Sequence, residues 1–179
     1  RAGQTVRRGG LVMRSIYQRP SGMSEHAHRS FLLAVEAAIE AARSSPCAKD
    51  QRGAAVYHVN YGHLVALPNA PPAPFVCDRS EACQAACGKL AVHAEMAALL
   101  KYLASATGFA AQGMDVVHVR TVGGEPVTSG PPSCITCSRD MLAAEVARVW
   151  LWHDEGWRSY DAVDFHARSL THEKHRLSL

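Results

Sequence analysis

No run in this sequence of 179 residues approaches the ~18–20 consecutive apolar residues of a membrane helix, so no transmembrane span is expected. No apolar core follows the basic N-terminus, so no secretory signal is expected, and the start at Arg1 rather than Met reads as a trimmed chain. No segment repeats. Residues 1–22 contain no Asp or Glu, yet they hold Arg1, Arg7, Arg8, Arg14 and Arg19. Taking these five from the 19 Lys and Arg leaves 14 against 16 Asp and Glu. The body of the chain is therefore near neutral, without the basic stripe usual in enzymes that grip a polynucleotide. Residues 1–22 read as a basic, flexible leader, with a nucleic-acid arm or a partner-binding segment as the alternative. Residues 23–179 read as one domain, and 47% hydrophobic residues suffice for its core.

The six cysteines are Cys47, Cys77, Cys83, Cys87, Cys134 and Cys137. An even count in a small secreted protein would suggest disulfides. Here the chain is larger, carries no signal peptide, and spaces two cysteines as C-x-x-C. Metal binding in a reducing compartment fits better, and a cytoplasmic location is expected.

Ser24 precedes a long amphipathic run and reads as a helix N-cap. Phe31, Leu32, Val35, Ala38, Ile39 and Ala42 recur at helical spacing as its buried face, and the helix should stop near Ser44–Pro46. Gly53–Val59 and His63–Leu67 are β-prone runs around Asn60-Tyr61-Gly62, a hairpin signal. A Pro- and Cys-rich loop is expected from Pro68 to Leu90, long enough to be functional or locally tied. Val92–Ala106 reads as a helix with Met96, Leu99, Leu100 and Leu103 on one side. A strand follows over Met114–Val122, broken by Gly123-Gly124. A third helix spans Cys134–Val146 and another strand Arg148–His153. Beyond Asp154 one more helix with a frayed tail is expected. This alternation predicts a layered α/β fold with a partly parallel sheet.

Two clusters carry chemistry. His93-Ala94-Glu95 opens the second helix and Cys134-Ile135-Thr136-Cys137 opens the third. The positive end of a helix dipole favours thiolates, and cysteines three apart share one helical turn, so both sulfurs can reach one ion. One His and two Cys leave the fourth position of a zinc ion open, as catalytic sites do. Zinc lowers the pKa of a bound water from near 16 to about 7. Glu95 lies two residues past His93, placed to move a proton without binding the metal. A purely structural or coincidental cluster is the alternative reading.

This pattern resembles the cytidine deaminase superfamily, whose signature is H-x-E followed by P-C-x-x-C. Here it reads His93-Ala94-Glu95 and Pro132-Ser133-Cys134-Ile135-Thr136-Cys137, with Ser133 inserted after the proline. Ser45-Pro46-Cys47 ahead of Gly53-Ala54-Ala55-Val56, and Leu67-Pro68-Asn69-Ala70-Pro71-Pro72, look most like the deoxycytidylate deaminase branch. The similarity covers roughly Ser44 to Val149. Ala97 stands where that family often has Asn, and Leu67-Pro68 where it has Gly-Tyr.

The resemblance implies a three-layer α/β/α fold with a central mixed sheet and both zinc-bearing helices on one face. It implies zinc held by His93, Cys134 and Cys137, and a catalytic Glu95. Substrate contacts are implied at Asn69 and through the backbones of Ala94 and Cys134. It also implies a homo-oligomer, and, because some deoxycytidylate deaminases hold a structural zinc in this loop, a second zinc on Cys77, Cys83 and Cys87 with His58, His63 or His118. Three reduced cysteines are the plain alternative there. Phe75, in the same loop, is a candidate to stack on substrate. Trp150, Trp152, Trp157 and Tyr160 read as packing, with base stacking the alternative. His153, His166, His172 and His175 read as surface or core histidines.

The expected activity is zinc-dependent hydrolytic deamination of the cytosine ring of a nucleotide or nucleoside, dCMP- or CMP-like, releasing ammonia and giving the uracil product. The rivals are a deaminase of cytosine or adenine in DNA or RNA, and a non-catalytic zinc-binding interaction module.

Overall fold

The computed structural model describes residues 16–106 and 112–178. Helix α1 spans Glu25–Ser44, strand β1 Gln51–Tyr57 and β2 Leu64–Pro68. Helices α2 (Glu81–Leu90) and α3 (Ala94–Ser105) follow, then β3 (Asp115–Val122) and β4 (Glu125–Val127). Helix α4 (Ile135–Ala143), strands β5 (Arg148–His153) and β6 (Gly156–Asp161), and helix α5 (Ala162–Leu177) complete the order. The sheet runs β2-β1-β3-β5-β6, with β4 paired to β3 off this path. Only the β3–β5 ladder is parallel among these pairings, so the sheet is mixed, as expected.

Successive strand residues face opposite sides, and the three central strands bury both. Ala54, Val56, Val116, Val149 and Leu151 meet α3, α4 and α5 on one face. Ala55, Tyr57, Val117, Val119, Trp150 and Trp152 meet α1 on the other. This is the expected three-layer arrangement, with Trp150, Trp152 and Tyr160 in the core. The Ser24 side chain caps α1 by accepting from the Ala27 N–H at 3.2 Å. Ile16, inside the segment expected to be leader, is fully buried, and its carbonyl accepts from the Trp157 indole at 2.6 Å. Residues 1–15 of that segment lie outside the described residues.

Four local expectations change. The Pro68–Leu90 stretch is not all loop: Ser80 accepts from the Cys83 N–H at 3.1 Å and starts α2. That helix buries no residue, so apolar periodicity could not reveal it. On α3 the inner residues are Ala94, Glu95, Ala98, Leu99 and Tyr102, while Leu100 is 60% exposed and Leu103 37%. Small alanines bring this helix close to the sheet and turn those leucines outward. Gly123 and Gly124, at φ 60° and 81°, make a two-residue hairpin turn into β4 rather than only ending β3. Beyond Asp154 the chain first adds β6, an edge strand in which only Tyr160 is buried.

Gly53 is where β1 touches α1. A Cβ there would overlap the backbone of Ala38 and Ala42, which cannot move independently of the helix. Gly53→Ala should therefore destabilise the chain by about 2 kcal/mol or more, lowering Tm by roughly 4–8 °C in a thermal melt.

Candidate metal centre and its cavity

His93 is the N-cap of α3 and Cys134 the N-cap of α4. The Cys134 thiol takes the capping role itself, accepting from the Cys137 N–H at 3.2 Å. Its sulfur lies 3.2 Å from His93 Nδ1 and 2.8 Å from the Cys137 sulfur, and the Cys137 sulfur lies 3.2 Å from the same Nδ1. Among the described residues, only His93, Cys134 and Cys137 gather three such donors within 4.8 Å of one another.

These contacts set the charges. The Cys134 thiol is pulled down to about 5, first by the hydrogen bond from Cys137, with burial opposing and His93 assisting. Donation to Cys134 and burial push Cys137 up. The hydrogen bond with Cys134 lifts His93 to about 9, against its burial. The cluster thus carries a thiolate at neutral pH, held at two helix N-termini that favour negative charge. One imidazole and two sulfurs form a donor set that suits zinc and leaves a fourth position for water or substrate.

The cluster opens into a cavity of about 820 Å³. Glu95 lines it, 9% exposed. Burial works against the ionised carboxyl of Glu95, but the neighbouring His118, a hydrogen bond from its own backbone, His93 and Arg52 outweigh burial and hold it below the usual range, while burial in turn holds the His118 imidazole down. Ser133, the inserted residue, lies on the cavity wall. So does Asn69, whose side chain is already engaged. Its Oδ1 accepts from Ser45 Oγ and from the Arg52 N–H, each at 2.8 Å, and its Nδ2 donates to the Asp50 carbonyl at 2.9 Å. Asn69 therefore shapes the β1 edge of the cavity.

Ala94 is fully buried between His93 and Glu95 at the start of α3. Phe75 is 71% exposed and stands outside the cavity wall, because residues 72–76 run over the surface. The long segment borders the cavity instead through the end of α2, at Cys87, Gly88 and Lys89. Cys77 and Cys83 sulfurs lie 3.7 Å apart. The neighbour of Cys87 is Cys47, not a histidine: burial first, then Cys87, pushes the Cys47 thiol up to about 11. His63 Nε2 pairs with Ser105 Oγ at 3.0 Å, His58 Nδ1 accepts from Asn60 N at 3.1 Å, and His118 faces Glu95.

Sequence reasoning did not single out several cavity residues: Lys49, Asp50, Arg52 and Ser129, and, from the last helix, His172, Glu173 and Arg176. Asp50 binds both Arg52 (2.7 Å) and Arg120 (2.8 Å). Burial alone would raise its carboxyl, and the two guanidiniums hold it below the usual range. Only the two-residue step from Asp50 to Arg52 is visible in sequence; the rest is assembled by folding.

No protein-family model matches the sequence, and no curated protein matches it. Solved structures do. A cytidine deaminase from Burkholderia pseudomallei superposes with a TM-score of 0.53 at 21% identity, over 80% of this chain and 96% of that one. A dCMP deaminase from the cyanophage S-TIM5 gives 0.49 at 19% identity, over 71% and 82%. A cytidine deaminase from Mycobacterium leprae gives 0.44 at 17%, over 72% and 92%. The first of these establishes that the chain has a cytidine deaminase-like α/β fold.

His93→Ala, Cys134→Ala and Cys137→Ala should each cost the purified protein one bound zinc per chain, read by elemental analysis after dialysis.

Proposed function

We propose that this chain is a zinc-dependent hydrolytic deaminase of the cytidine deaminase superfamily, nearest the deoxycytidylate branch. It acts on the cytosine ring of a nucleotide or nucleoside, giving ammonia and the uracil product. The observation that carries this reading is the carboxyl of Glu95, buried in the cavity beside three metal-binding donors and not one of them. Zinc on His93, Cys134 and Cys137 would supply an acidified water at neutral pH. With the metal bound, the Glu95 carboxylate would carry one proton from the attacking water to the ring nitrogen and, as the carbon–nitrogen bond breaks, a second from the added hydroxyl to the departing amine. His93, Cys134 and Cys137 hold their geometry from two helix starts, so the donors and the base are fixed relative to one another.

A phosphate-bearing substrate is favoured by Lys49, Arg52, Lys89 and Arg176 in the cavity wall, where Arg52 pairs with Asp50 and Arg176 with Glu173. A base in DNA or RNA would meet the same donors, and that rival separates by assay. Ammonia release is expected from dCMP or CMP, and more weakly from cytidine. Turnover of cytosine-containing oligonucleotides alone would overturn the reading. Glu95→Gln should keep zinc and lose at least about 1000-fold in kcat, within the range by which general acid–base catalysis acts. Turnover that survived in Glu95→Gln would overturn this mechanism, and a parent protein with no turnover would leave only the zinc-binding module.

Two further assignments belong to the same proposal. The exposed Leu100 and Leu103 on α3 support a homo-oligomer. A second zinc is assigned to Cys77, Cys83 and Cys87 with Cys47 as the fourth ligand; Cys77 adjoins Cys83 and Cys87 adjoins Cys47, and the ion would have to draw these two pairs together, since no three of the thiols lie within 4.8 Å of one another. Such an ion would tie the otherwise surface-lying α2 to the α1–β1 junction, because metal binding is folding free energy. Two zinc ions per chain are expected, falling to one in Cys47→Ser; a single ion in the parent protein would remove this second site.

A further inference from the structure

Position 118 should be apolar. It lies on a central strand, on the same face as Val116, which packs in the core against α3. Instead it is a histidine with 2% exposure. Burying an imidazole there costs free energy unless its nitrogens are used. Both have neighbours at the cavity wall. Nδ1 lies 3.4 Å from Ser129 Oγ, and Nε2 lies 3.7 Å from Glu95 Oε1. Arg52 Nη1 lies 3.5 Å from the same Nε2.

The donor and acceptor inventory narrows what this arrangement can do. Arg52 only donates, and an ionised Glu95 only accepts. Bare, Nε2 accepts from Arg52; protonated, it has one acceptor within reach, the Glu95 carboxylate, and the Ser129 hydroxyl then donates to the bare Nδ1 of that tautomer. At 3.7 Å the contact lies just beyond hydrogen-bond distance, and side-chain adjustment of Glu95 closes it, as catalytic hydrogen bonds commonly tighten when substrate binds. The guanidinium of Arg52 adds positive charge on the same side.

We infer that His118 is a positioning residue: braced by Ser129, its imidazole holds the Glu95 carboxyl in the orientation from which that group moves protons. This rests on the deaminase reading for the role of Glu95, but the contact itself does not. No zinc ligand is involved, so metal binding should be independent of it.

The test uses the full zinc-loaded chain with His118→Gln, which keeps an N–H donor, and His118→Leu, which does not. In His118→Leu, kcat should fall roughly 10- to 100-fold with KM, zinc content and Tm nearly unchanged, the loss expected when a reacting group is displaced by a fraction of an ångström. His118→Gln should recover most of the loss. Equal loss in both variants, or a loss that tracks zinc or Tm, would overturn the inference. Imidazole 15N shifts of His118, compared between the parent and Glu95→Gln proteins, report the contact without any turnover. A parent with no deaminase activity but a His118 shift that responds to Glu95→Gln would refute the proposed function and keep the contact. An unresponsive shift would refute the contact whatever the activity.

Discussion

The parallel ladder between β3 and β5 cannot be closed by a hairpin, and the crossover that it demands brings the site together. Helix α3 leads into β3 from the opposite direction, so its first residue sits near the C-terminal end of that strand. Helix α4 sets out from the same end to begin the crossover. Both pack on one face, in one core with Ala54, Val56 and Val116. Two helix starts therefore meet at one edge of the sheet, which is where His93 faces Cys134 and Cys137. Ligands are commonly held at the carboxyl ends of the strands in α/β sheets for the same reason.

That meeting has an electrostatic result. A thiolate among apolar neighbours is costly, and helix ends and a nearby imidazole offset the cost. The same edge collects other charges that would be expensive alone. Glu95 is surrounded by His118, His93 and Arg52, and Arg52 is in turn held by Asp50, which also binds Arg120. Asn69 and Ser45 fix the backbone that carries this chain of charges. The metal donors, the carboxyl and its polar wall form one connected network rather than separate features.

That His93, Cys134 and Cys137 would gather beside Glu95 was legible because each cluster is local: three residues at one helix start and four at another. Helix α1 was legible from its apolar period and Ser24. What stayed hidden depends on long-range packing. His118 looks like any histidine until β3 is placed between β1 and β5. Arg52 becomes a cavity residue only when α3 crosses β1. Cys47 is far from Cys87 in sequence and near it in space. Helix α2 was hidden because it buries nothing, and Leu100 and Leu103 were grouped on one side with Leu99 because leucine spacing alone does not reveal that alanines face the sheet. Phe75 was assigned from a segment whose two ends, at Asn69 and at Cys87–Lys89, line the cavity while Phe75 between them is exposed.

The cavity draws its walls from most of the elements around it. His93, Glu95, Cys134 and Cys137 come from the starts of α3 and α4, deep in the fold, while His172, Glu173 and Arg176 come from the last turns of α5. Of that helix only Ala162, Phe165 and Ser169 are buried, all nearer its beginning. Its outer turns are therefore free to change without disturbing the packed body. Substitutions in those turns would reshape one wall of the cavity while leaving the His93, Glu95, Cys134 and Cys137 arrangement in place.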